Sequence, residues 1–449
     1  MKHLFSRLSP AQKIILSFLL VIFCGSLLLS LPWVQTASSQ AGYLDHLFTA
    51  VSMVCVTGLF TRSVVDTYNV WGQLLCMLLI QIGGLGILTF IGFFTMESRK
   101  KLSLKDRRIL RDSFSYGHNR TLGQFVRSIF ITTFTIEGLG ALLLMIRFIP
   151  KFGLGKGIFN SIFLAVSAFC NAGFDNFGND SLLGLQTDVL VNITLALLII
   201  TGGLGFMVWF DLATKLGGKQ KGLHFHTKVV LLLTAGLLVF GTVASLWTEY
   251  NNPGTIGNLS FGDKLLVSFF QTVSMRTAGF ASIDYTAARP VTLFIYLLQM
   301  FLGGAPGGTA GGLKITTFLV LLLFARKEIL GLPHTNMGRR TLAPQLVQKA
   351  FGVTVIFQLT FLLGLLALGL VTDSSHRFIY LIFETVSALA TVGVTANITT
   401  SLNTAGMIVI MLLMFIGRVG PLTLMVSLSH YQPKKATTLH YSKADIMIG

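Results

Sequence analysis

Apolar positions along this chain fall into runs of two lengths. Eight long runs, at 14–31, 71–96, 129–149, 189–210, 229–247, 291–324, 351–371 and 406–429, reach the roughly 20 residues that a helix needs to cross a bilayer. Four shorter ones, at 44–54, 158–169, 264–274 and 378–389, sit one between the members of each successive pair. At about 11 residues they are too short to cross and suit a helix that enters a membrane and turns back. Backbone that stops at membrane depth must satisfy its polar groups or line a wet cavity. The pattern therefore predicts an all-α membrane protein of four tandem units, each span, short helix, span. That makes eight transmembrane helices and four re-entrant helices around a central water- or ion-filled path.

A sequence frame repeats with the runs. Phe48-x-x-Val51-Ser52 leads to Gly58, Phe163-x-x-Val166-Ser167 to Gly173, Phe270-x-x-Val273-Ser274 to Gly279, and Phe383-x-x-Val386-Ser387 to Gly393. The third copy is one residue shorter between serine and glycine than the other three. The tripeptides ending on these glycines are Val56-Thr57-Gly58, Asn171-Ala172-Gly173, Thr277-Ala278-Gly279 and Thr391-Val392-Gly393. Glycine opens backbone angles closed to other residues, so successive carbonyls can face one way. Four such segments around an axis would replace the hydration shell of an alkali cation, and short helices aiming their partially negative C-terminal ends inward favour a cation. The twelve residues are the expected selectivity filter. Carbonyls of Thr57, Gly58, Asn171, Gly173, Thr277, Gly279, Thr391 and Gly393 are the expected potassium ligands.

A second small-residue feature recurs beyond each frame: Gly83-Gly84-Leu85-Gly86, Gly202-Gly203-Leu204-Gly205, Gly303-Gly304-Ala305-Pro306 and Gly417-Arg418-Val419-Gly420. Close helix packing explains the first two. The third begins a stretch that no helix sustains: Gly303, Gly304, Ala305, Pro306, Gly307, Gly308, Thr309, Ala310, Gly311 and Gly312, with Lys314 just after. Unit three's second run is therefore expected as two half-helices joined by a loop, with Lys314 near the start of the second half. Both Gly303 and Gly417 lie 24 residues past their frame glycines. The loop and Arg418 should thus meet on the axis beneath the filter and form a gate. An alternative role for Arg418 is to pair with a buried carboxylate or to cap carbonyls freed by the broken helix.

Composition agrees with a membrane chain: 53% of the 449 residues are hydrophobic and 11% charged, against about a quarter charged in soluble domains. Of the 34 lysines and arginines, 24 fall at the N-terminus, in 97–127, 215–228 and 326–349, and in the tail. The positive-inside rule puts those segments and both termini in the cytoplasm. It accounts for the net charge of +17 without nucleic acid as a partner. Arg107, Arg108 and Arg111 fit a surface helix on that face. Carboxylates on the other side, among them Asp45, Asp175, Glu249 and Glu384, could enrich cations at a mouth or be ordinary loop charges. A signal-peptide reading of the first run is possible, but such apolar cores are shorter. The four cysteines show no ligand or disulfide spacing. No nucleophile-elbow, zinc-protease or phosphate-loop motif is present, and Glu137 has no nucleophile partner, so no enzyme is expected.

On the four frames, the 303–314 loop and Gly417-Arg418-Val419-Gly420, the chain resembles the Trk/Ktr/HKT superfamily of potassium transporters, in particular the membrane subunit of bacterial Ktr-type systems. The resemblance covers nearly the whole chain. It implies potassium uptake across the cell membrane through a homodimer with one pore per protomer, docked on a cytoplasmic ring of regulatory subunits. A nucleotide (ATP, ADP or NAD) would bind only that ring, and this chain would hold no cofactor besides the transported potassium. The units would be 1–98, 99–218, 219–345 with a gating loop at 303–317, and 346–449. A sodium-coupled potassium symporter on the same scaffold is the alternative, since broken spans occur in coupled transporters too.

Overall fold

The computed structural model describes residues 10–86, 122–178, 181–218, 220, 222–338, 340–372 and 377–420. Fourteen helices longer than one turn carry them: α1 Pro10–Leu29, α2 Tyr43–Cys55, α3 Val70–Leu85, α4 Leu122–Phe152, α5 Leu154–Phe169, α6 Val189–Gly203, α7 Phe206–Leu216, α8 Phe225–Glu249, α9 Phe261–Ser274, α10 Pro290–Phe301, α11 Ile315–Ile329, α12 Pro344–Val371, α13 Phe378–Leu389 and α14 Thr404–Val419. A two-residue antiparallel hairpin, β1 Asn336–Met337 with β2 Arg340–Thr341, joins α11 to α12. The expected surface helix around Arg107, Arg108 and Arg111 lies outside the described residues.

Among the described residues, α1, α4, α8 and α12 contain windows long and apolar enough to cross a membrane; α6 with α7 makes a fifth if the bent pair is one span. These four long helices open the four sequence units. The helices that follow the frames, α3, α10 and α14, are apolar but shorter; the runs 71–96 and 406–429 continue past the described residues.

The starts of α3, α6 and α14 are fixed by side-chain caps. Asn69 accepts the amides of Trp71 and Gly72, Asp188 that of Val191, and Asn403 that of Gly406, each satisfying donors the first turn would leave open. Within every unit the opening and closing helices meet through one glycine. A Cβ on Gly25 would lie 2.8 Å from Leu79, on Gly140 2.7 Å from Leu198, on Gly241 2.7 Å from Gln299, and on Gly364 2.6 Å from Leu413. In lipid, helices gain little from excluding water, so close contact of this kind carries the association. The four frame phenylalanines, Phe48, Phe163, Phe270 and Phe383, are at most 1% exposed and sit in one continuous core. Outward, Phe23, Trp71, Ile146, Leu232, Phe240, Trp247, Leu363 and Leu370 are exposed, an apolar coat suited to acyl chains.

One expectation needs correcting. The run 189–210 is not one helix: α6 and α7 meet at 98°. Gly205 takes φ +89° at the break, and the chain of unit three fills the corner, where Gly307 O accepts the amide of Phe206 at 3.0 Å. Gly202-Gly203-Leu204-Gly205 is thus a docking corner as well as a packing surface. Nothing within unit two's own sequence signals the segment that docks there.

Candidate functional site

Three of the four short helices end in the same way, and α9 ends on a bond that spans one residue fewer, from Ala278 N to Ser274 O at 2.9 Å. At the end of α2 the amide of Val56 bonds Met53 O at 3.1 Å and that of Thr57 bonds Ser52 O at 2.8 Å. Asn171 and Ala172 after α5, and Thr391 and Val392 after α13, repeat both bonds at the same lengths. This is the Schellman arrangement, which requires a left-handed residue just past the helix. Val56, Asn171, Thr277 and Thr391 take φ of 56°, 59°, 66° and 53°. For Val and Thr, branched at Cβ, that conformation is strained.

The glycines two residues on also have positive φ: +102° at Gly58, +70° at Gly173, +81° at Gly279 and +98° at Gly393. They face one another in cyclic order. A Cβ on Gly58 would lie 2.7 Å from Ala172 O, on Gly173 2.7 Å from Ala278 O, and on Gly279 2.7 Å from Val392 O; on Gly393 it would collide with Thr57 O. Each unit's glycine therefore sits against the carbonyl that precedes the next unit's glycine, and the last closes onto the first. The result is a ring of backbone oxygens with no space for side chains. Val56, Thr57, Asn171, Ala172, Thr277, Ala278, Thr391 and Val392 are all buried around it. The hydroxyls of Thr57 and Thr391 are buried with no partner among the described residues. An all-oxygen, uncharged donor set suits a weakly hydrated monovalent cation.

The loop 303–312 lies against the base of this ring. Its two ends zip together, with Gly303 N on Leu313 O at 2.9 Å and Ile315 N on Gly304 O at 3.3 Å. Its first half docks in the corner between α6 and α7: Ala305 N bonds Gly203 O at 2.9 Å and Thr309 N bonds Gly202 O at 3.2 Å. A Cβ on Gly205 would lie 2.7 Å from Pro306 O, and one on Gly308 3.0 Å from Gly202 O. The second half touches the filter residues. Gly311 N donates to Thr277 Oγ1 at 3.2 Å, and Thr309 Oγ1 donates to Phe169 O at 3.1 Å. With its side-chain amide oriented so that the nitrogen faces the neighbouring acceptors, Asn171 donates to Phe169 O and Ile199 O at 3.2 Å and to Thr309 Oγ1 at 3.3 Å.

Two cations hold the loop from below. Lys314, at the start of α11, donates to Ala310 O at 2.6 Å. Arg418, near the end of α14, donates to Thr309 O at 2.5 Å and reaches Gly83 O and, at 3.3 Å, Gly84 O at the end of α3. Arg418 thus caps carbonyls of the loop and of the end of α3 at once, the capping role named above, and pairs with no carboxylate among the described residues. The small residues of α3, α6 and α14 make this geometry possible, since a Cβ on Gly83, Gly202 or Gly417 would strike the carbonyl of Val54, Phe169 or Leu389 at the end of the neighbouring short helix.

Most of the carboxylates read as a mouth are committed to local bonds. Asp45 accepts from Gly42 N and Thr61. Glu249 accepts from Asn252, Thr255, Thr292 and the amide of Arg289. Glu384, fully buried on α13, accepts from Thr395 and Thr399 and so pins the chain beyond Gly393. Gln271, at the same place in unit three's frame, pins its own strand by donating to Ser282 Oγ at 2.7 Å and accepting from the Tyr285 hydroxyl at 2.5 Å. Sequence reasoning took Glu384 only as a mouth carboxylate and passed over Gln271, although each directly follows a frame phenylalanine. Asp175, two residues past Gly173, is buried and accepts from Phe177 N at 2.9 Å and Ser181 at 2.7 Å; burial pushes its carboxyl up to about 6. Glu137 is buried on α4 and accepts from Gln81 at 3.1 Å, a packed group rather than one facing the ring.

The chain matches the family model described as TrkH, cation transport protein, over residues 7–438. It is 38% identical to the Ktr system potassium uptake protein B of Bacillus subtilis, covering 99% of this chain and 97% of that one. It is equally 38% identical to the potassium/sodium uptake protein NtpJ of Enterococcus hirae, covering 100% and 99%. Among solved structures, the potassium transporter TrkH from Vibrio parahaemolyticus superposes with a TM-score of 0.73 at 17% identity, over 93% of this chain and 84% of that one.

Proposed function

The chain belongs to the TrkH family of cation transport proteins, and we propose that it is the membrane subunit of a potassium uptake system, moving potassium through a channel-like path. The observation that carries this reading is the closed ring of the four frame glycines and the carbonyls between them. In this reading the four units are tandem repeats at 1–98, 99–218, 219–345 and 346–449. Their short helices α2, α5, α9 and α13 enter from outside as pore helices, and both termini are cytoplasmic. Carbonyls of the four tripeptides take over the coordination that water gives potassium; sodium, being smaller and more tightly hydrated, is not repaid for its shell.

The loop 303–312, with Lys314 and Arg418, is the gate. It lies across the base of the ring, and Arg418 adds a positive charge where a cation must pass. Opening requires the bonds from Arg418, Thr277 and the α6–α7 corner to be exchanged for others. The relatives named as parts of Ktr systems support a separate partner. We assign it to the cytoplasmic face as a nucleotide-binding ring on which a homodimer of this chain docks. Potassium uptake into vesicles holding the purified chain, with sodium as competitor, tests the proposal. Uptake is expected to favour potassium and to lose that preference on Gly58→Ser.

A second reading is sodium-coupled potassium uptake, favoured by the NtpJ relative's name, which pairs potassium with sodium. It is separated from the first by running the same uptake with sodium absent on both sides.

A further inference from the structure

The serine that closes each Phe-x-x-Val-Ser frame is 0% exposed, at the C-terminal end of its short helix. Its carbonyl accepts the amide of the residue just before the frame glycine: Thr57, Ala172 and Val392 at 2.8 Å, and Ala278 at 2.9 Å. Its hydroxyl then takes a group farther along the same strand. Ser52 Oγ accepts the amide of Gly58 at 3.2 Å, Ser387 Oγ that of Gly393 at 3.0 Å, and Ser167 Oγ that of Phe174 at 2.9 Å. In unit three, where serine and glycine are one residue closer, the direction reverses: Ser274 Oγ donates to Phe280 O at 2.5 Å.

Planarity of the trans peptide makes these bonds directional. Within one peptide unit the N–H and the C=O point opposite ways. An amide of Gly58 held back toward α2 turns the carbonyl of Thr57 the other way, and that oxygen lies against Gly393 in the ring. Likewise the amide of Gly393 held by Ser387 turns out the carbonyl of Val392, which lies against Gly279. The bond from Thr57 N to Ser52 O does the same for the carbonyl of Val56, so one serine orients two successive peptides. A buried amide that loses its partner turns toward another acceptor, and here the neighbouring acceptors are the ring carbonyls.

We propose that the frame serines are the positioning residues of the ion filter, with Ser52, Ser167 and Ser387 each fixing through its hydroxyl a peptide plane that presents a carbonyl to the ion. The proposal rests on the reading of the glycine ring as a filter. It divides the four by role: Ser52, Ser167 and Ser387 restrain amides, whereas Ser274 restrains a carbonyl beyond the ring.

The test is competitive uptake of potassium and sodium into vesicles holding the purified full-length chain, normalised to inserted protein. Ser52→Ala and Ser387→Ala are expected to cut potassium-over-sodium discrimination about tenfold, the loss of one buried hydrogen bond. Ser52→Cys and Ser387→Cys keep the size with a weaker acceptor and should fall between; Ser52→Thr and Ser387→Thr should restore discrimination. Ser274→Ala should change it less. Ser161→Ala removes a buried hydroxyl that bonds Gly157 O within α5 and should leave discrimination unchanged. Should the alanine variants fail to insert, the cysteine and threonine series still decides. Gly58→Ser separates the two claims. If it abolishes discrimination while the serine variants keep it, the hydroxyls are ordinary buried bonds and the proposal falls. If Gly58→Ser also discriminates like the unaltered chain, the ring is not a filter and both readings fall together.

Discussion

The glycine ring and the loop beneath it are both rich in glycine, yet they are held in opposite ways. Every frame tripeptide is bonded to the helix directly before it, within a few residues of chain. The loop is bonded to distant parts of the chain: Gly202 and Gly203 in α6, Thr277 after α9, and Arg418 in α14. A locally clamped ring keeps its shape whatever neighbouring helices do. A loop braced by Arg418 of unit four and by the backbone of unit two would, in the proposed gate, be released when those units shift. The first arrangement suits selection, the second suits control.

The contrast breaks most severely at the ring. Gly393→Ala places a Cβ into Thr57 O at φ +98°. With left-handed strain of about 1–2 kcal/mol added to the collision, potassium-over-sodium discrimination in competitive uptake is expected to drop about a hundredfold, each 1.4 kcal/mol being tenfold.

At the loop, Arg418→Ala removes the bonds to Thr309, Gly83 and Gly84 and is expected to raise potassium flux about tenfold, one hydrogen bond to a charged donor contributing about 1.5–3 kcal/mol. Discrimination should stay intact, because no frame tripeptide bonds to Arg418. Normal insertion with unchanged flux would place the barrier elsewhere.

Two loop glycines sharpen the point. A Cβ on Gly311 would run into Thr391 Oγ1, whereas one on Gly307 meets nothing within 4 Å among the described residues, at φ +73°. Gly311→Ala should therefore push the loop off the ring and raise flux about threefold, and Gly307→Ala should change it by less than about twofold, since it adds only left-handed strain. Rate measurements on the two side by side check this.

The smallest effect is expected from acid. Burial raises the Asp175 carboxyl to about 6, so the folded chain keeps that proton where an unfolded one has lost it. The stability it contributes is complete below the ordinary carboxylate value and is lost as pH rises through about 6. If its charge also gathers cations above Gly173, uptake should rise modestly through the same range, and Asp175→Asn should flatten the profile.

The lengths of the apolar runs made much of this helical chain legible. The runs expected at 44–54 and 264–274 lie within α2 and α9, and 378–389 coincides with α13, because apolar spacing and the Gly-containing ends act locally. The broken second helix of unit three was legible too, since six glycines and a proline cannot propagate a helix. What could not be read was tertiary. The corner at Gly205 depends on a loop about 100 residues away. The double duty of Arg418 depends on the end of α3, and the restraint by Glu384 depends on where Thr395 and Thr399 fold back.

The central claim is that the glycine ring selects potassium along a channel-like path. It is met most directly by ion flux through the purified chain in sealed vesicles with sodium absent from both sides. Potassium is expected to enter down its own gradient, to reverse when that gradient is reversed, and to lose its advantage over added sodium in Gly58→Ser. Flux that requires sodium on the side of entry, or a Gly58→Ser variant that discriminates like the unaltered chain, would contradict the account.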